Sequence, residues 1–69
     1  MPPSSNSREI IKRLVAEGWV KVRQKGSHAQ YKKASVGLVT VPHPKKSIPV
    51  GTLRSIYRQA GWVWSGTTH

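Results

Sequence analysis

Ile10, Ile11, Leu14 and Val15 recur at i, i+1, i+4 and i+5, with Arg8, Lys12 and Arg13 between and beside them. That spacing draws one apolar stripe on a helix and predicts helix over residues 7–17. Asn6, three residues before Glu9, marks its start as a capping box does, and Gly18 offers the left-handed stop. From Trp19 the period changes to two. Val20 and Val22 alternate with Lys21 and Arg23, a half-buried strand. Gln24, Lys25 and Gly26 read as a turn, and Ala29 and Tyr31 then alternate with His28, Gln30 and Lys32. After a second turn over residues 33–37, a third strand runs from Leu38 to Val41 and stops at Pro42, which has no N–H for a ladder. In this register Val20, Val22, Ala29, Tyr31, Val39 and Val41 face the helices. Lys21, Arg23, His28, Gln30, Lys32 and Thr40 face outward, and Leu38 fits neither set well.

Pro42 and Pro44 stiffen a basic loop that carries His43, Lys45 and Lys46. Ser47 is a candidate cap and Pro49 suits an early helical position, so a second helix is expected from near residues 48–51 to Ala60, with Gly61 as its stop. Its stripe is Leu53, Ile56, Tyr57 and Ala60, with Arg54 and Arg58 opposite. Trp62, Val63 and Trp64 are expected to fold back over the core. Tyr31, Tyr57 and Trp19 read as buried, although an exposed Trp19 would suit base stacking. The order predicts an α+β fold of the double-stranded RNA-binding type: α-β-β-β-α, a three-stranded antiparallel sheet with two helices on one face. Residues 1–5 read as a flexible leader, 6–62 as the domain and 63–69 as a partly disordered tail.

Composition narrows what such a domain does. Twelve Lys and Arg oppose two acidic residues, for a formal charge of +10, a field that attracts polyanions and disfavours a tight homodimer through its basic faces. Cysteine is absent, and the three histidines and two glutamates follow no metal-ligand spacing, so no metal or other cofactor is expected. No apolar run is long enough to span a membrane and the start is not a signal peptide. A soluble, cytoplasmic protein is the expectation.

One histidine stands out. His28 follows a glycine turn at the head of a strand and is surrounded in sequence by Arg23, Lys25 and Lys32, which makes it the candidate general base. Arg23, Lys25, Lys45 and Lys46 are candidate phosphate ligands, each also readable as a solvated surface charge. Ser27 suits contact with phosphate or orientation of His28 as well as a plain turn role, and Gln30 shares the predicted face of His28. His43 is the second candidate acid or base, with a structural or binding role as its alternative.

Gly18 and Trp19; Arg23; Lys25, Gly26, Ser27, His28 and Tyr31; Val41, Pro42 and His43; and Gly51, Thr52, Leu53, Ile56, Gln59, Ala60 and Gly61 together resemble the HicA toxins of bacterial toxin–antitoxin pairs. The resemblance spans residues 6–62. It implies a metal-independent ribonuclease that cleaves messenger RNA and is silenced by a HicB-like antitoxin, with His28 as the catalytic histidine. RNA brings its own nucleophile, the ribose 2′-OH, so one imidazole beside phosphate-binding cations suffices for that chemistry. Two other functions fit the same charge and fold. A binding module would grip double-stranded RNA without cutting it, and an interaction domain would dock an acidic partner, the antitoxin in the case of a toxin.

Overall fold

A computed structural model describes residues 5–64. Its elements are α1 (Ser7–Ala16), β1 (Val20–Lys25), β2 (His28–Lys33), β3 (Gly37–Pro42) and α2 (Val50–Ala60). The strands form an antiparallel meander in the order β1-β2-β3. The predicted α-β-β-β-α order and the open three-stranded sheet are borne out.

Both helices end on the same device. The Asn6 side chain accepts the Arg8 amide at the start of α1, as its cap position predicts. At the other end Gly18 turns left-handed, its N–H donates to the Val15 carbonyl, and the Trp19 N–H reaches back to Leu14. The pattern repeats after α2, where left-handed Gly61 donates to Arg58 and the Trp62 N–H to Tyr57. In each case a glycine removes the steric cost of positive φ and the following tryptophan is swung onto the core, as in the Schellman motif. Trp19 and Trp62 are both buried.

The core lies between the helices and the inner face of β2 and β3. Ile10 and Leu14 from α1 and Leu53, Ile56, Tyr57 and Ala60 from α2 close over Ala29, Tyr31, Val39 and Val41, with Ile48 and the two tryptophans at the margins. Fully burying a side chain of this size contributes about 1.5–3 kcal/mol. Burial raises the Tyr31 hydroxyl above its ordinary pKa. Trp62 donates its indole N–H to Glu17 at 2.7 Å and lies under the Arg13 guanidinium, 4.0 Å from the ring centre, while Arg13 pairs with Glu17 at 3.1 Å. The Trp62 hydrogen bond first, then Arg13 and Lys33, hold the Glu17 carboxyl below its usual range against the opposing effect of burial.

Several expectations need correcting. Val15 belongs to the α1 stripe in sequence but is 57% exposed, because the helix leans on the core through Ser7, Ile10 and Leu14. α1 stops at Ala16, with Glu17 as its cap residue. α2 begins at Val50 with Pro49 at the cap and no side-chain cap from Ser47.

The largest departure is β1. Val20 and Val22 are 63% and 53% exposed, and every residue of β1 is exposed. The helices cover β2 and β3 and leave β1 projecting. A β-bulge at Val22 also changes its register: Lys21 pairs with Tyr31, but Arg23, not Val22, pairs with Gln30. Directly paired residues share a face, so Lys21 lies on the helix side, whereas Val20 and Leu38 flank Lys32 on the open face.

The expected leader and tail fall largely on residues 1–4 and 65–69, outside the described residues. Ser5 takes part in the fold, since its carbonyl accepts the Ile48 N–H at 2.8 Å. Trp64 packs edge-on against Tyr57 at 5.1 Å, and Val63 is exposed.

Candidate nucleic-acid interface

Lys25 and His28 are paired residues across a two-residue turn of Gly26 and Ser27. Gly26 has φ +56°, and Ser35 is the only non-glycine of positive φ among the described residues. Glycine at the first central position, followed by a residue of negative φ, is the type II′ hairpin, whose twist matches that of the strands. The Gln24 side-chain amide donates to the Gly26 carbonyl at 2.9 Å and braces the loop. His28 therefore stands at the first position of a fixed strand.

Its neighbours follow from register. Lys25 lies across from His28 on one side and Pro42 on the other; Arg23, Gln30 and Thr40 form the next rung on the same face, two residues along. Arg23, Lys25, Gly26, Ser27, His28, Gln30 and Thr40 line an open hollow of about 590 Å³. The hollow thus brings together five residues singled out in sequence: Arg23, Lys25, Ser27, His28 and Gln30. The His28 ring is exposed and, among the described residues, engaged in no hydrogen bond, so both ring nitrogens are open to a ligand. With two cations opposite, the arrangement suits a phosphate bearing a group that must lose a proton.

Sequence reasoning placed Thr40 on this face but gave it no role. Its hydroxyl meets the Gln30 side-chain amide at 3.5 Å, and its backbone N–H donates to the Gln59 side chain of α2 at 3.3 Å. Gln30 is thereby tied through β3 to a helix. The pairing of Gln30 with Thr40 in a correctly registered meander was the available signal.

Lys45, Lys46 and His43 are elsewhere. They line a second hollow, of about 230 Å³, with Asn6, Ser7, Arg8 and Pro44. His28 pairs with Pro42 on the open face, and strand alternation turns the next residue, His43, to the helix side. There its Nδ1 lies 2.8 Å from Ser7 Oγ. Among the described residues no group of three or more His, Asp or Glu side chains is placed to hold a metal ion, and no helix is long and apolar enough to cross a membrane.

Fold and site define a small basic α+β domain of the double-stranded RNA-binding type, with a histidine and two cations on its open sheet face. The family model described as the HicA toxin of bacterial toxin–antitoxin systems matches residues 7–62, and the chain belongs to this family. Among solved structures it is similar to a chain of a toxin–antitoxin complex from Streptococcus pneumoniae, with 36% sequence identity and a TM-score of 0.69 over 83% of this chain and 97% of the other. No curated protein matches it. The chain is accordingly a toxin of a toxin–antitoxin system.

Proposed function

We propose that this toxin is an endoribonuclease acting on single-stranded messenger RNA, with His28 as general base. The observation that carries the reading is the exposed His28 imidazole on a rigid hairpin, sharing one hollow with Arg23 and Lys25. A neutral imidazole nitrogen takes the proton of the ribose 2′-OH as that oxygen attacks the adjacent phosphorus. The bond to the 5′-oxygen breaks, that oxygen takes a proton from solvent or from the imidazolium, and the products end in a 2′,3′-cyclic phosphate and a 5′-hydroxyl. Arg23 and Lys25 neutralise the charge that grows on the non-bridging oxygens. Gln30 and Ser27 offer hydrogen bonds to the flanking nucleotide, and Lys45 and Lys46 add phosphate contacts outside the hollow. The reaction needs no metal, and the partner that silences it is a HicB-like antitoxin.

Purified protein incubated with single-stranded RNA in the presence of a chelator, beside His28→Ala, tests the reading. Cleavage with cyclic-phosphate ends, lost in the variant and absent on DNA of the same sequence, is expected. Binding of duplex RNA without cleavage would instead make the chain a non-catalytic binding module.

A further inference from the structure

Ser7, His43 and Ser27 come from three separate parts of the chain, yet one line of hydrogen bonds joins them and ends at the peptide that carries His28. The His43 backbone N–H donates to the Ser27 carbonyl at 2.8 Å. That carbonyl shares a rigid peptide plane with the His28 N–H, so holding it fixes the direction in which the His28 Cα and Cβ leave the turn.

His43 is anchored in turn. Its Nδ1 meets Ser7 Oγ at 2.8 Å. The same Oγ accepts the Lys45 N–H at 2.9 Å, and the Ser7 N–H donates to the Lys45 carbonyl at 2.9 Å. Ser7 is only 1% exposed, and a buried hydroxyl proton needs an acceptor. The oxygen has two lone pairs, so it can accept the Lys45 N–H and still either donate to the ring or accept from it. Donation to His43 Nδ1 is the arrangement that gives the buried proton an acceptor, and it puts the ring proton on Nε2. An imidazole whose Nδ1 is occupied, on the helix side of the sheet, is badly placed to exchange protons with a substrate in the His28 hollow.

We propose that His43 is a positioning residue: its ring, fastened to Ser7 of α1, holds the backbone that fixes the Ser27–His28 peptide and so aims the His28 imidazole. The inference rests on the reading of His28 as general base. Displacing a catalytic group by a fraction of an ångström slows the chemical step while leaving most binding contacts intact. The lesion therefore falls on kcat and not on KM.

The test compares the wild type with His43→Ala, His43→Asn and Ser7→Ala on a single-stranded RNA oligonucleotide, together with exchange of the His43 amide proton and the ring nitrogen resonances of both histidines. His43→Ala and Ser7→Ala are expected to lower kcat about tenfold with KM within about twofold, and to speed exchange of the residue 43 amide. His43→Asn, whose side-chain carbonyl can take the Ser7 hydroxyl where Nδ1 did, restores most of kcat. In the wild type, the resonances should show a bare Nδ1 and a protonated Nε2 on His43. Unchanged kcat in folded His43→Ala overturns the proposal. So does equal loss in His43→Ala and His43→Asn with the amide still protected, which would give the ring a proton-transfer role. Should His43→Ala fail to fold, Ser7→Ala and His43→Asn carry the same comparison. If the wild type does not cut RNA, the ribonuclease reading fails by itself. The amide exchange and the His28 resonances then decide whether the clamp exists: unchanged values in Ser7→Ala reject it.

Discussion

Because the His28 ring is exposed and free of hydrogen bonds among the described residues, its removal separates chemistry from stability. His28→Ala should change unfolding free energy by no more than about 0.5 kcal/mol in urea titrations. The same substitution should lower the RNA cleavage rate by about 10² to 10⁴. A variant that is both inactive and strongly destabilised would put the histidine in the fold and not in the chemistry. Arg23 and Lys25 belong to a different measurement. Each cation that neutralises a phosphate of single-stranded RNA releases a counterion, so Arg23→Ala and Lys25→Ala should each flatten the plot of log affinity against log salt by about 0.7. Affinities measured across a salt series, on RNA that cannot be cut, check this. An unaltered slope would return either residue to the status of a solvated surface charge.

At the scale of elements, the two Gly-Trp stops do more than end helices. Trp62 ties the end of α2 to the end of α1 through Glu17, and that tie depends on charge. The folded-state pKa of Glu17 is depressed, so its contribution to stability is present above the unfolded carboxylate pKa and is lost as pH falls through the folded value. Trp62→Phe removes the largest cause of the depression. It should cost about 1 kcal/mol at neutral pH from the lost hydrogen bond, beyond any loss of packing. That excess should shrink as the pH is lowered through the carboxylate range, as read by urea unfolding of both proteins at neutral pH and at about pH 3. A gap that stays constant with pH would show that Trp62 acts by packing alone. The stops were legible in sequence, and so was the α2 stripe, because helical period and glycine punctuation are local signals. The α1 stripe was legible only in part. Whether Val15 or Ser7 turns inward depends on the angle at which the helix lies on the sheet, which sequence spacing does not contain.

Over the whole molecule, the architecture followed from the sequence because each change of period coincides with a glycine or proline boundary. The candidate site was half legible. His28, Ser27, Lys25, Arg23 and Gln30 are close in the chain and were found together. Lys45 and Lys46 were read as phosphate ligands on a stiff loop and His43 as a second acid or base on charge and chemistry alone, and the structure gives them a hollow of their own. Their separation rests on non-local facts: the alternation that turns His43 away from His28, and the Ser7 hydroxyl, an unremarkable serine in sequence that is buried against a ring 36 residues away. Lys21 was misassigned for a related reason. Alternation was carried through Val22 as though the strand were regular, and a bulge leaves no mark in a short run of alternating valines and cations.

That extra residue makes the count of residues in β1, more than their identity, the quantity on which the protein depends. Trp19 must arrive on the core side, and Arg23 and Lys25 must arrive on the side of His28. An unbroken strand would send all three, at odd positions, to one face. Val22 acts like a frameshift that corrects the frame. A substitution such as Val22→Thr should leave stability within about 0.5 kcal/mol and cleavage near the wild-type rate, since the side chain is exposed. Deleting Val22 should be far worse than replacing it. The chain then either pulls Trp19 from the core, at about 3–5 kcal/mol by analogy with truncating a buried tryptophan, or keeps the core and turns both cations away from the hollow. Thermal melts and RNA affinity measured on the two variants decide which; a deletion variant with wild-type stability and affinity would show that the frame is not set at this residue.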